Sequence, residues 1–316
     1  MKKSKSYSKS DLNLIFRSGI FILSNEKAQD MTYPQHPLLD TRMQSTDNLD
    51  SGLCREDENG NLYSSDGKRF VKCGDGSTTC HIAEGVEIIV DYAFLTTSLI
   101  RNVYVPDTVK AIGNNVFAHC EDLVKLELSD SIEQIGDTTF EGCDELRQLT
   151  LPGSLKYMGI NPFKGLQRIR IHSNSPHFLV THNSIYSADG THLYAYNNLI
   201  DSSYTQAGSM ADHIVARMLK GLEIIEPYAC YARDFTDFML PKSLKVIRHH
   251  AFQRCDELEE IVIPEGTTTI EDEAFKDCEK LRFVTLPSTL TSLGTDVFKN
   301  CGSDMNITNH SSIEIP

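Results

Sequence analysis

From about residue 86 onward the apolar positions of this chain return every 23 residues. Phe94, Phe117, Phe140 and Phe163 keep that step, and Phe252, Phe275 and Phe298 keep it again. Five residues ahead of each aromatic stands an aliphatic: Ile89, Ile112, Ile135, Met158, Ile247, Ile270 and Leu293. Three residues behind come Cys120, Cys143, Cys255, Cys278 and Cys301, followed after another three by Leu123, Leu146, Leu258 and Leu281. Ile225 and Cys230 mark an eighth, degenerate copy. Each copy also carries an alternating segment usually closed by proline, as in Val103-Tyr-Val-Pro106 and Ile261-Val-Ile-Pro264.

The two spacings predict two elements. An L-x-L run has period 2 and one apolar face, as a strand does, and the proline after it stops the backbone ladder. The F-x-x-C-x-x-L run has the three-residue period of a helical or 3₁₀ turn. Neither can bury its apolar side alone, so the copies are expected to stack at about 4.8 Å per strand into a solenoid, with a parallel β-sheet on the concave side and short helical turns on the convex side.

Residues 173–221 interrupt the period. Within them Ile185-Tyr-Ser-Ala-Asp-Gly-Thr-His-Leu193 aligns with Leu62-Tyr-Ser-Ser-Asp-Gly-Lys-Arg-Phe70 at an offset of 123. Asp66-Gly67 and Asp189-Gly190 between apolar alternating stretches signal tight β-hairpins. The predicted organisation is a tail or degenerate signal plus linker over 1–53, then a solenoid over 54–316. The solenoid divides into a hairpin at about 60–74, repeats at about 86–172, a hairpin insertion at about 173–221 and repeats at about 222–316.

A period of 23 lies inside the range of about 20 to 29 known for leucine-rich repeats. This unit, with Phe at its turn and Cys three positions on, resembles the BspA-type leucine-rich repeats of bacterial and protist surface proteins, and the hairpins at Leu62–Phe70 and Ile185–Leu193 are similar to segments of that family. The resemblance covers about residues 60–316. It implies a leucine-rich repeat solenoid with inserted β-hairpins, an interaction or adhesion role, a secreted or cell-surface location, and no catalytic residues. Lys2, Lys3, Lys5 and Lys9 before the apolar Leu12–Leu23 stretch have the charge order of a secretory signal, but Asn13, Arg17 and Ser18 interrupt it. A signal and a partly apolar tail both stay open, and cytoplasmic location is the alternative.

Composition narrows the chemistry. With 30 Lys+Arg against 44 Asp+Glu the net charge of the 316 residues is −14, which disfavours nucleic acid as a partner. No run of about 18 apolar residues is present to span a bilayer. Five of the nine cysteines hold one repeat position and are expected to be reduced, buried thiols donating weakly to neighbouring carbonyls. Cys73 and Cys80, flanking Gly74-Asp-Gly76, are the pair whose spacing suits a disulfide in an exported protein. His172, His177, His182 and His192 match no metal motif, and phosphate-loop, dinucleotide and nucleophile-elbow patterns are missing. No cofactor, no metal and no enzyme activity are expected; a scaffold domain of a secreted hydrolase and a structural spacer are the alternatives to a binding module.

Binding then belongs to the outward side chains of the L-x-L strands. The pattern gives one column of Tyr104, Glu127, Thr150, Arg170, Met239, Val262 and Thr285, beside a second of Asn102, Lys125, Gln148, Arg168, Asp237, Glu260 and Phe283. Tyr, Phe, Met and Arg are enriched at protein interfaces. The candidate face is Tyr104, Lys125, Glu127, Arg168, Arg170, Met239 and Phe283, offered by a monomer to a protein or glycan partner, host extracellular matrix among the candidates.

Overall fold

A computed structural model describes residues 39–42, 54–95, 97–166, 168–197, 218–234 and 236–315. The candidate signal, and the linker apart from 39–42, fall outside them. Leu39–Pro316 is one compact unit built of stacked, strand-bearing coils.

Each coil holds two strands rather than one. The expected L-x-L strands are β4 (Thr79–His81), β6 (Asn102–Tyr104), β8 (Lys125–Glu127), β10 (Gln148–Leu151), β12 (Arg170–Ser173), β17 (Asp237–Met239), β19 (Glu260–Val262), β21 (Phe283–Leu286) and β23 (Asn306–Asn309). A second, two-residue strand forms at the aliphatic before each aromatic: β5 (Ile88–Ile89), β7 (Ala111–Ile112), β9 (Gln134–Ile135), β11 (Tyr157–Met158), β16 (Ile224–Ile225), β18 (Val246–Ile247), β20 (Thr269–Ile270) and β22 (Ser292–Leu293). Strands of each set pair in parallel with coil-to-coil register, for example Val103↔Leu126 and Ile112↔Ile135, the long strands forming three sheets, β4–β8, β10–β12 and β17–β23.

Two hairpins start the two runs, as the repeated motif predicts. β1 (Arg55–Glu56), β2 (Leu62–Tyr63) and β3 (Arg69–Lys72) are antiparallel, and β3 then pairs in parallel with β5. β13 (Phe178–Thr181), β14 (Ser184–Ser187) and β15 (His192–Ala195) repeat the arrangement, β15 pairing with β16. Gly67 and Gly190 take the left-handed backbone of the turn, at φ 74° and 75°. Asp66 and Asp189 brace it by accepting the Ser64 and Ser187 hydroxyls, both at 2.6 Å.

The turn segments correct the expectation of helix. No helix occurs among the described residues. Single turn bonds such as Ala118 N–H to Asn115 O (3.2 Å) and Cys120 N–H to Phe117 O (3.0 Å) alternate with bonds to the next coil, as Phe117 N–H to Thr139 O (2.9 Å) and His119 N–H to Glu141 O (2.7 Å). Asn115 and His119 sit at φ 52° and 60°. A left-handed residue every fourth position turns alternate N–H groups toward the neighbouring coil, and a 3₁₀ segment cannot propagate through it.

Inside, the phenylalanines stack as expected, with centroids 4.9 Å apart for Phe94–Phe117, 5.9 Å for Phe117–Phe140 and 5.2 Å for Phe140–Phe163. Phe252–Phe275 (4.9 Å) and Phe275–Phe298 (5.7 Å) form the second stack, Phe298 being half-buried at its end. Phe70 of the hairpin extends the first stack at 5.1 Å from Phe94. The repeat thiols donate to the coil before: Cys120 to Phe94 O (3.2 Å), Cys143 to Phe117 O (3.1 Å), Cys255 to Cys230 O, Cys278 to Phe252 O and Cys301 to Phe275 O (each 3.1 Å). Cys73 and Cys80 are both buried and both free thiols.

Candidate binding face

The long strands alternate as a half-buried sheet must. Val103, Leu126, Leu149, Ile171, Phe238, Ile261 and Val284 point into the core, each under a tenth exposed. Their neighbours point out and line up across strands by the pairing register.

In the first run the register brings together His81, Tyr104 and Glu127, beside Thr79, Asn102 and Lys125. The His81 ring lies flat on Tyr104 with centroids 4.4 Å apart and planes 5° from parallel. Lys125 Nζ stands over the same ring at 5.0 Å from the Tyr104 centroid and reaches Glu127 at 2.7 Å. Three of the predicted residues, Tyr104, Lys125 and Glu127, thus form one cluster. His81 completes it and was legible in principle, since Thr79-Cys80-His81 stands 23 residues before Asn102-Val103-Tyr104.

The expected columns slip at the next coil. Gln148 pairs with Arg170 and Thr150 with His172, so Arg170 belongs to the column of Lys125, and His172 takes the place expected for Arg170. Ile169-Arg170-Ile171-His172 alternates whichever isoleucine is taken as central, and a shift of two residues keeps every side chain on its face. The coil is one residue shorter: Ile171 follows Phe163 by eight positions, where Leu149 follows Phe140 by nine. Arg168 therefore lies before the strand. It lines a cavity of about 370 Å³ with Asp144, Glu145, Arg147 and Leu166, a lining that includes no other predicted face residue.

In the second run three outward positions are apolar, among the polar Glu260 and Thr285. Met239, Val262 and Phe283 are 66 %, 51 % and 54 % exposed. Met239 pairs with Val262, and Phe283, opposite Glu260, stands diagonal to Val262, within reach for an aromatic ring. Three large apolar side chains on three consecutive strands make a continuous patch. The face is thus bipartite, with an aromatic and charged cluster on β4–β8 and an apolar patch on β17–β21.

Shifted titrations do not mark a reaction centre on this face. On it the Glu127 carboxylate holds the Lys125 ammonium above its ordinary range, as an ion pair does, while in the interior desolvation pushes the Cys120 thiol and the Tyr194 hydroxyl each up to about 12. Among the described residues no three His, Cys, Asp or Glu side chains are grouped to hold a metal ion. No helix among them is long and apolar enough to cross a membrane.

Comparison with known proteins agrees with this geometry. A family model described as BspA type leucine rich repeat region matches residues 67–186 and 220–315, in six copies. The crystal structure of the pneumococcal vaccine antigen PcpA is similar at TM-score 0.58 and 19% identity, over 83% of this chain and 75% of that one. A leucine-rich repeat protein from Bacteroides ovatus is similar at TM-score 0.50 and 20% identity, over 82% of this chain and 62% of that one. At such identities the likeness is one of fold. No curated protein matches the sequence.

Proposed function

We propose, from the premise that this chain belongs to the family of BspA-type leucine-rich repeat proteins, that it works by binding, not catalysis, and that its long-strand face is where a partner protein lands. BspA-type repeats are typical of surface and interaction modules. The observation that carries the reading is the exposed patch of Met239, Val262 and Phe283 on adjacent strands. Apolar side chains of that size are normally withdrawn from water, and a contiguous set on a flat sheet marks an interface. Tyr104, Lys125, Glu127 and Arg170 supply the polar end of the same face. Host extracellular matrix proteins are the first partners to examine, with glycans as the alternative, and the acidic chain disfavours nucleic acid. The protein acts as a monomer at the cell surface on this reading.

The test is an array of matrix proteins and glycans probed with native protein and with a Met239→Asp, Phe283→Asp double variant. The variant should bind the captured partner at least about tenfold more weakly, about 1.4 kcal/mol, with an unchanged melt because both side chains already face solvent. Asp272→Lys with Lys276→Glu, on the turn side, should leave binding unchanged. Equal loss from the two double variants would move the site off the long-strand face.

A further inference from the structure

The outward column of the first short-strand sheet runs Arg69, Ile88, Ala111, Gln134 in register. Its neighbours Phe70, Ile89, Ile112 and Ile135 fill the core, so this column should face solvent. Arg69, Ala111 and Gln134 are buried all the same, at 7 %, 0 % and 7 % exposure. The matching column of the second run, His192, Ile224, Val246, Thr269 and Ser292, is nowhere buried.

The first column carries a strap. Leu39–Arg42 crosses from Gln134 on β9 to Arg69 on β3, and the contacts are made to its main chain. Leu39 N–H donates to Gln134 Oε1 (2.9 Å) while Gln134 Nε2 donates to Leu39 O (3.3 Å), so one amide side chain imitates a paired strand. Thr41 O accepts the Asp91 N–H (2.9 Å). Arg69 spreads its guanidinium over Asp40 O (2.9 Å) and Arg42 O (2.5 Å). Leu39, Asp40 and Arg42 keep their side chains exposed, the last two paired with each other at 2.9 Å; Thr41 alone is buried.

We propose that this column is a groove for an extended peptide of a partner protein, and that Leu39–Arg42 is a resident occupant in cis which such a peptide displaces. Recognition through the main chain accepts many sequences, and the one buried side chain of the strap, Thr41, asks for a small residue at that place. The readers are particular to the first run. In the second, Pro227 stands at the place of Asp91 and has no N–H to give, Thr269 replaces Gln134, and His192 replaces Arg69 and is held by Glu226 at 2.7 Å. This site is separate from the long-strand face and stands or falls without it.

A fluorescent peptide Pro-Leu-Leu-Asp-Thr-Arg-Met-Gln, the sequence of residues 37–44, is titrated into the full chain and into a variant vacated by Leu39→Pro, which removes the N–H that Gln134 accepts, and Thr41→Lys, which puts a charge at the one buried position of the strap. The vacated variant should bind it saturably. The native chain should bind at least about tenfold more weakly, because a tethered occupant competes at high effective concentration. Adding Gln134→Ala, or changing the peptide's Thr to Lys, should abolish binding. No saturable binding by a cooperatively melting vacated variant overturns the proposal, as does binding indifferent to Gln134→Ala. A native chain that elutes as a dimer with exchanged straps overturns it in favour of a second copy. If the vacated variant does not fold, excess peptide added to the native chain should accelerate trypsin cleavage after Arg42, and an unchanged cleavage rate overturns it.

Discussion

Left-handed backbone recurs in this chain with the repeat itself. Asn115 and His119, His250 and Arg254, Glu273 and Asp277, and Asp296 and Asn300 are pairs four residues apart at positive φ. Asn and Asp tolerate that conformation, whereas a Cβ-bearing residue without a local hydrogen-bonding side chain is strained by roughly 1–2 kcal/mol. Ala232, at φ 51°, is such a residue, and its N–H still donates to Gln253 O at 2.9 Å. Ala232→Gly should therefore stabilise the protein by about 1 kcal/mol, read as a higher urea midpoint with an unchanged slope. Little of this was legible, because each of these side chains is an ordinary surface type in sequence. Gly113, Gly136, Gly159 and Gly294 recur one residue after the strand aliphatic, yet their reason needs the stack. A Cβ on Gly136 would come within 2.5 Å of the Gly113 carbonyl carbon in the coil before.

Within one coil, the long strand was legible and the short one was not. An L-x-L run with its closing proline fits the strand pattern, but two residues such as Ala111–Ile112 give no measurable alternation and pair only because a copy lies on each side. The three-residue period of F-x-x-C-x-x-L suits a helical or 3₁₀ turn because i→i+3 bonds produce it in both cases; alternate bonding to the next coil is invisible in a single copy. The cysteines were legible because their position recurs. Burial pushes the Cys120 thiol up to about 12 and those of Cys143 and Cys278 higher still, chiefly by desolvation at Cys120 and Cys143 and by the neighbouring Cys255 thiol at Cys278. The thiolate needed for alkylation is thus scarce at neutral pH. Iodoacetamide at pH 8 should label Cys120, Cys143, Cys255 and Cys278, all buried, only after denaturation, and Cys301, more accessible but pushed up by the neighbouring Cys278 thiol, slowly. Rapid native labelling of the first four, resolved by peptide mass mapping, would place them outside the stack.

Across the whole molecule the hydrophobic core is divided. One cluster runs from Tyr63 to Phe163 and takes in Phe178 and Ile185, and a second runs from Tyr186 to Val297, so β14 contributes Ile185 to one and Tyr186 to the other. Polar bonds bridge the two runs at that point. Asn161 Nδ2 donates to Tyr228 O (2.5 Å) and Arg233 Nη1 to Leu166 O (2.7 Å), while Arg233 Nε and Nη2 lie buried with no hydrogen-bond partner. A solenoid's stability is close to a sum of coil terms and nearest-neighbour interfaces, so an interface that buries a guanidinium with one hydrogen bond among the described residues should be weaker than the phenylalanine stacks. Eight copies of the repeat were legible in the sequence, against nine long strands in the structure, but this seam was not, since residues 173–221 announce only a break in period. Native-state hydrogen exchange should sort the protected amides into two groups, β5–β11 opening separately from β16–β22. Phe140→Ala removes a ring from the middle of the first stack and should cost about 3–5 kcal/mol. That loss should fall on the first group alone, leaving the exchange of Ile247 and Ile270 unchanged. A single cooperative group, with Ile270 accelerated as much as Ile112, would mean that the polar seam transmits packing as fully as the phenylalanine stacks do.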